Sequence, residues 1–569
     1  VGQPGLLRRI LTAAPAGLAV ALAVAFAFRG VLGNGFLLYD DSVYLTDTPL
    51  VRAGLTREGV VWAFTAFHGA NWHPLTWISH MLDAQFFGLD PAGHHGVSLL
   101  LHVLNVALLS LLARRLLGAS WPSFLAALLF GLHPLRVESV AWVAERKDVL
   151  CAFFWLLAMG AHLRYAARPG AGRMLPVALL LAGALMAKPM AVTLPLVLLL
   201  LDWWPLGRGV GRGLAGAAAL VAEKIPLFFL AAASSLVTLR AQASADALSM
   251  GGGHHAWPKA VGAVMAVVHY LVRTLFPAGL MPLYPYPAEA WPWWQWGGAA
   301  LILAGVTAFL AVLRRRHPAL LMGWLWFLVV LIPVSGLVKV GVQMAADRYT
   351  YLPHAGLALG LAGVMAGTRG GSRFRNLAVA PGIAAAAALL ALLTLRQVPV
   401  WRDDLTLFGE NLRRDPGNWL ALQNVGAVLS RQGRLAEARR LFTEALGRHP
   451  DNPYLRYNLA VVSDLEGRDD IAETLYREVI RMLPDHADAH NNLGILLSAR
   501  GRREEAAELY RRAMALDPQR PEPCFNLALD LLEAGRGDLA LPLLRRALAL
   551  DPDYEAARRT LDRLLGPGP

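Results

Sequence analysis

The sequence predicts an all-α chain in two parts, a polytopic bundle of membrane-spanning helices followed by a solenoid of helical repeats. Two observations carry this. Of the 569 residues, 56% are apolar and only 17% charged, a membrane composition rather than a soluble one. The apolar bias ends near residue 398, and beyond it Pro and Gly recur at a fixed interval. Pro416, Pro450, Pro484, Pro518 and Pro552 are each 34 residues apart, as are Gly433, Gly467, Gly501 and Gly535.

A crossing of the hydrocarbon core takes roughly 20 apolar residues, fewer inside a bundle. Eleven runs qualify, near 10–33, 95–117, 119–135, 147–166, 174–187, 189–204, 222–240, 297–313, 318–339, 352–367 and 376–397. A further run, 260–276, contains His269 and Arg273. Arg8, Arg9, Arg114, Arg115, Arg208 and Arg314 to Arg316 share one side only if this run does not cross, so it is expected to be a re-entrant or interfacial helix on the outer face. The N-terminus is then cytoplasmic. The repeats lie on the outer, periplasmic side of a bacterial inner membrane, a source that the Arg- and Ala-rich usage fits. The first run is too long for a signal-peptide core and is expected to be a retained anchor. The expected domains are a membrane domain at 1–398 with an outer loop at 34–94, a linking helix at 399–418, four repeats at 419–554, and a capping helix and tail at 555–569.

The net charge of +12 comes largely from Arg at span ends, so nucleic acid is not an expected partner. Cys151 and Cys524 fall in different domains, which argues against a disulfide.

A 34-residue helix–turn–helix period is the tetratricopeptide signature. Ala438, Ala472, Ala506 and Ala540 keep the same spacing and allow close helix packing, while Gly marks the turn and Pro ends the second helix. Asn424, Asn458, Asn492 and Asn526 form a second ladder on the first helix of each repeat. An amide carries donors and an acceptor, so such a column can hold a peptide backbone. The alternative is hydrogen bonding between repeats.

On the outer side, polar segments are expected at 34–94, 134–147, 241–296 and 335–351. They bring acids and bases close to lipid, where ionisable groups tend to be functional: Asp40 and Asp41, His133 to Glu138, Glu145 to Asp148, Lys188, and Asp347 to Tyr351. Solvated helix-start acids and snorkelling bases are the plain alternative. The aromatic loop 282–296 is either an interfacial belt or a sugar-stacking surface. Carboxylates facing several cations at a membrane suit sugar transfer from a lipid phosphate. The phosphate is a good leaving group, the cations offset its charge, and one carboxylate deprotonates the acceptor hydroxyl.

Several motifs recur in order: residues 34–44 after the first span, Leu129 to Pro134 through Glu138 to Ala141, Arg146-Lys147-Asp148, Lys188 with Val192, Thr193 and Asp202, and Asp347-Arg348-Tyr349 with Tyr351-Leu352-Pro353. With the repeat tail, they resemble the transmembrane and tetratricopeptide repeat-containing (TMTC) protein O-mannosyltransferases and their bacterial relatives, over nearly the whole chain. The resemblance implies a GT-C glycosyltransferase fold. It also implies a polyprenyl-phosphate-linked, mannose-like sugar as donor, a Ser or Thr hydroxyl of a protein as acceptor, and an inverting displacement. It places the catalytic base at Asp40 or Asp41. Arg348, Lys188, Arg146 and Arg136 are the expected partners of the donor phosphate, and His133, Glu138, Asp148, Asp347 and Tyr349 are expected to shape the site.

No ligand cluster predicts a metal, although a divalent ion is compatible with some GT-C enzymes. The chain departs from the family pattern at Lys188-Pro189, where relatives carry Lys-Glu, and at Asp347-Arg348, where they carry Glu-Arg. Arg136 and the context from Glu145 to Lys147 also differ. Two rival functions are a non-enzymatic scaffold for envelope proteins and a transferase acting on a lipid-linked glycan. A transporter is disfavoured, because no paired broken helices occur in matching halves.

Overall fold

The computed structural model describes residues 6–209, 211, 213–244, 259–282, 284–287, 291–336, 343–367, 373–518, 520–551 and 554–565. Part of the expected outer segments (245–258 and 337–342), Pro552 and the end of the tail (566–569) lie outside the described residues. The chain divides into two compact units, residues 1–407 and 408–569.

The first unit is a helical bundle. Five described helices are long and apolar enough to cross a membrane: Pro91–Leu117, Val143–Ala167, Gly213–Ala243, Trp293–Leu313 and Pro381–Trp401. A sixth arises if Ser120–Gly131 and Pro134–Ala141, bent by 59°, count as one span. Gly17–Gly33, Ala171–Ala187, Pro189–Trp203 and Pro318–Val334 are shorter apolar helices. The eleven expected spans are therefore not eleven uniform rods. Helix Trp293–Leu313 leaves Leu301, Ile302, Phe309 and Val312 exposed, an apolar flank suited to lipid. Helix Lys259–Leu275 is not among the helices long and apolar enough to cross, and it buries Gly262, Ala266 and Tyr270 on one face.

Two X-Pro steps break the helices where the sequence places cations and acids. A residue before proline is pushed out of the helical region. His133, before Pro134, and Lys188, before Pro189, are accordingly extended, with ψ of 129° and 132°. Elsewhere the bundle is tight. A Cβ on Gly323 would sit 2.6 Å from the Gly356 carbonyl oxygen, so only glycine lets helices Pro318–Leu331 and Tyr351–Gly367 approach this closely. A two-stranded antiparallel pair, Tyr284–Pro285 with Gln343–Ala345, leads into the turn Asp347–Thr350.

The expected single linking helix at 399–418 is two pieces. A 3-10 turn spans Val398–Trp401, and an α-helix spans Asp404–Arg414. Pro399 opens the first piece, and Asp403 restarts the chain by accepting hydrogen bonds from the backbone and hydroxyl of Thr406, both 2.8 Å. The boundary between the two units falls within the second piece.

The second unit is built from helix pairs of near-constant length. They are Trp419–Arg431 with Leu435–Arg448, Pro453–Leu465 with Asp469–Met482, Ala487–Ala499 with Arg503–Leu516, and Glu522–Glu533 with Gly537–Leu550. Helix Glu555–Leu565 follows. Gly433, Gly467, Gly501 and Gly535 take φ between +70° and +78°, the left-handed conformation that ends each first helix at little cost only for glycine. Phe442, Tyr476 and Tyr510, again 34 apart, are buried between the helices of their pairs. A Cβ on Gly426 would lie 2.5 Å from the Phe442 ring, which is why that position is small.

Candidate active site

The first unit contains a cavity of about 550 Å³. Its polar lining includes Asp40, Asn71, His73, Glu145, Lys147, Lys188, Arg348 and Tyr349. Met190, Val192, Leu239, Pro333, Val334 and Met344 add apolar lining. Charged and apolar groups around one cavity suit an amphiphilic ligand.

The cations are held by one carboxylate. Glu145 Oε1 lies 3.1 Å from Lys147 Nζ and 3.2 Å from Arg348 Nε, while its Oε2 lies 3.1 Å from Lys188 Nζ. Lys188 also donates to Asp148 at 2.6 Å, and Arg348 pairs with Glu138, which further accepts the Arg348 backbone N–H at 2.8 Å. Lys188 can do this because the break before Pro189 frees it from helical register. An ammonium has three donors and a guanidinium five. Lys147 uses one on Glu145 and one on the Tyr44 hydroxyl, and Lys188 uses two. Among the described residues, each of the three cations therefore keeps a donor uncommitted at the cavity. Burial opposes the charge on Arg348, but Glu138 and Glu145 outweigh it and hold the guanidinium well above its ordinary pKa.

The adjacent carboxylates separate cleanly. Asp41 is buried, and both its oxygens accept backbone N–H groups, from Leu37 at 2.8 Å and from Ala144 at 2.7 Å. It ties the outer loop to the start of the span Val143–Ala167, and desolvation raises its pKa to about 7 against those two hydrogen bonds. Asp40 is half-buried, lines the cavity, and accepts no hydrogen bond through its carboxylate among the described residues. Burial raises its pKa, with Lys147 pulling the other way. The loop is pinned from the far side as well, since Asp404 accepts the Leu38 N–H at 3.0 Å.

Of the other expected site residues, Lys188, Arg348 and Tyr349 line this cavity, and Glu138 and Asp148 stand directly behind the cations. Asp347 instead accepts from the Tyr284 hydroxyl at 3.0 Å. His133 lies 3.1 Å from the Thr274 carbonyl and accepts the Leu135 N–H, closing the turn after the helix break.

Two expected phosphate partners are corrected. Arg136 is buried against Thr350 and His354, at 2.8 and 2.7 Å, and does not line the cavity. Arg146 points to Asp83, the His94 carbonyl, Ser98 and Ser79, at 2.6 to 3.0 Å, also away from it. Consecutive residues on a helix point about 100° apart, so Arg146 and Lys147 cannot both face the cavity, and Lys147 is the one that does. In the aromatic loop, Tyr286 lines the cavity, whereas Trp293 and Trp294 are exposed.

The Asn ladder is not uniform. Asn492 donates to the Tyr457 hydroxyl at 2.9 Å and Asn526 to the Asn491 side chain at 3.0 Å, each reaching the preceding repeat. Asn424 donates to the Leu420 carbonyl of its own helix at 2.7 Å. Asn458 is half-buried with no side-chain hydrogen bond among the described residues. Bonding between repeats accounts for two of the four.

Comparison with known proteins agrees with this architecture. Tetratricopeptide-repeat models match residues 429–496 and 487–520. Protein O-mannosyl-transferase Tmtc1 of Drosophila melanogaster is 31% identical over 202 residues, which is 34% of this chain and 23% of that protein. Human protein O-mannosyl-transferase TMTC1 is 26% identical over 493 residues, covering 76% of this chain and 55% of the human protein. The chain is homologous to the TMTC protein O-mannosyl-transferases. It spans about a quarter to about half the length of these two curated relatives. Among solved structures, a thermophilic tetratricopeptide-repeat protein of Thermus thermophilus matches 34% of this chain and 96% of its own, with 23% identity and a TM-score of 0.26.

Proposed function

We propose that this protein is an integral-membrane transferase of the GT-C type. It moves a mannose-like hexose from a polyprenyl-phosphate donor to a Ser or Thr hydroxyl of a protein recruited by the repeats. Asp40 carries the reading: a partially desolvated carboxylate, with no hydrogen-bond partner among the described residues, sharing a cavity with three cations. Its raised pKa makes it a stronger base than an ordinary carboxylate.

In the reaction, Asp40 takes the acceptor hydroxyl proton while the oxygen attacks the anomeric carbon. The bond from that carbon to the phosphate oxygen breaks, and the phosphate leaves with the electron pair. Lys147, Lys188 and Arg348 receive the negative charge through their uncommitted donors. They are preorganised by Glu145 and need little rearrangement to do so. One displacement inverts the anomeric centre. The apolar wall accommodates the first isoprenoid units of the donor. The cavity then faces the outer side of a bacterial inner membrane, with the N-terminus cytoplasmic and the repeats on the periplasmic side.

The test uses full-length protein in proteoliposomes with polyprenyl-phosphate mannose and a set of Ser/Thr-containing peptides. Mass spectrometry should find one added hexose with the native chain, formed at least about 100-fold more slowly with Asp40→Asn. Hexose transfer by that variant at the native rate would remove Asp40 as base.

A further inference from the structure

Helix Pro74–Phe87 carries His80 and Asp83 one turn apart on one face, and His94 sits in the first turn of helix Pro91–Leu117. All three are buried, and each offers a ligand atom within 4.8 Å of the others. His94 Nε2 lies 3.0 Å from the Gly88 carbonyl, which places the proton on that nitrogen. The lone pair of Nδ1 then faces Asp83 Oδ2 at 3.4 Å. Arg146, 2.6 Å from the same oxygen, offsets the charge of Asp83, but two lone pairs facing each other at that distance still repel unless a proton or a metal ion lies between them. A protonated His94 would meet this need, but it leaves His80 unexplained. His80 is fully buried, and neither of its ring nitrogens has a partner among the described residues. A neutral imidazole in that position strands one N–H and one lone pair away from water. One cation shared by the three side chains resolves both problems.

We propose that His80, Asp83 and His94 form a zinc site that fastens the outer-loop helix to the following span. Two imidazoles and a carboxylate with an open fourth position are a recurrent zinc ligand set. With zinc–ligand bonds of about 2.1 Å, a tetrahedral site spaces its ligand atoms about 3.4 Å apart, the separation already present between His94 and Asp83. His80 completes it by a side-chain shift. The surroundings are those of a ligating shell. The Gly88 carbonyl orients His94, and Arg146, 2.6 Å from Asp83 Oδ2, holds the carboxylate. Arg146 directly precedes Lys147, so zinc here also fixes the turn that aims Lys147 into the cavity. The metal takes no part in the transfer itself.

The full-length protein, carrying a tag without histidines, is purified in detergent without chelator and dialysed against zinc, and bound metal is counted by plasma mass spectrometry. The native chain should hold about one zinc, and His80→Ala and His94→Ala less than about a fifth of that, with His95→Ala unchanged. The native chain loaded with cobalt should show the visible absorption of a tetrahedral N/O site and lose it on adding zinc, a readout that does not depend on any variant folding. A native chain without stoichiometric zinc and without that absorption would overturn the site. So would His80→Ala that keeps its full zinc content.

Discussion

Two buried ionic clusters in the first unit look alike on paper and differ in one respect. Around Asp202, His162 at 2.9 Å, Arg208 at 3.0 Å and Lys224 surround a single acid, and Glu223 takes up the remainder of Arg208 and Lys224. None of these residues lines the cavity. Around Glu145, three cations are also gathered on one carboxylate, but they line a cavity that they share with Asp40, whose carboxylate has no hydrogen-bond partner among the described residues. The first arrangement is what a buried charge network needs for stability. The second is incomplete until a ligand arrives. Ionisable groups within a membrane unit mark candidates, and the cavity, together with the Asp40 carboxylate that lines it, is what sets the Glu145 cluster apart.

The contrast can be broken by opposite signatures. The largest effect belongs to Asp40→Asn, which should lower the transfer rate by about 10² to 10⁴-fold, the range for losing a general base. Its thermal midpoint in detergent should stay near the native value, because no hydrogen bond among the described residues depends on the carboxylate. Asp202→Asn should do the reverse. Removing the fully buried acid at the centre of this network leaves cations uncompensated, which costs about 3–5 kcal/mol of stability, visible as a lowered melting midpoint. The protein that remains folded should keep its rate per molecule.

A smaller effect sharpens the role of Lys147. Asp40 must be deprotonated to act as base, and burial raises its pKa. Activity should therefore fall as the pH drops through a value above the ordinary carboxylate range. Lys147 lowers that pKa, so Lys147→Met should move the acidic limb of the pH–rate profile to higher pH, in addition to reducing the rate. A limb that stays in place would separate Lys147 from Asp40.

The fold was legible in the sequence to very different degrees in the two units. A repeat announces its own period, and the buried Ala438, Ala472, Ala506 and Ala540 and the left-handed glycines follow from it directly. Spans are signalled mainly by apolarity: the break at Lys188-Pro189 was legible as the gap between the expected spans 174–187 and 189–204, whereas the bend at Pro134 fell inside the expected span 119–135. The break at Pro189 is what delivers Lys188 to the cavity. In the site, neighbours defeated the reading. Asp40 and Asp41 are adjacent in sequence, and only the backbone N–H groups of Leu37 and Ala144, the latter 103 positions away, separate the clamp from the carboxylate proposed as base. Arg146 and Lys147 divide in the same way by helix rotation. The His80, Asp83 and His94 group left a faint trace, a His-x-x-Asp step before a His pair. Its ligands come from two helices whose meeting the sequence does not encode locally.

The central claim is that a lipid phosphate completes the cation cluster opposite Asp40. A cryo-electron microscopy map of the full chain with a non-transferable polyprenyl-phosphate sugar analogue tests it directly. Phosphate density should sit within hydrogen-bond reach of Lys188 Nζ and the Arg348 guanidinium, with the sugar between it and Asp40 and the isoprenoid along Met190, Val192 and Leu239. Analogue bound elsewhere on the protein, with this cavity containing none, would contradict it.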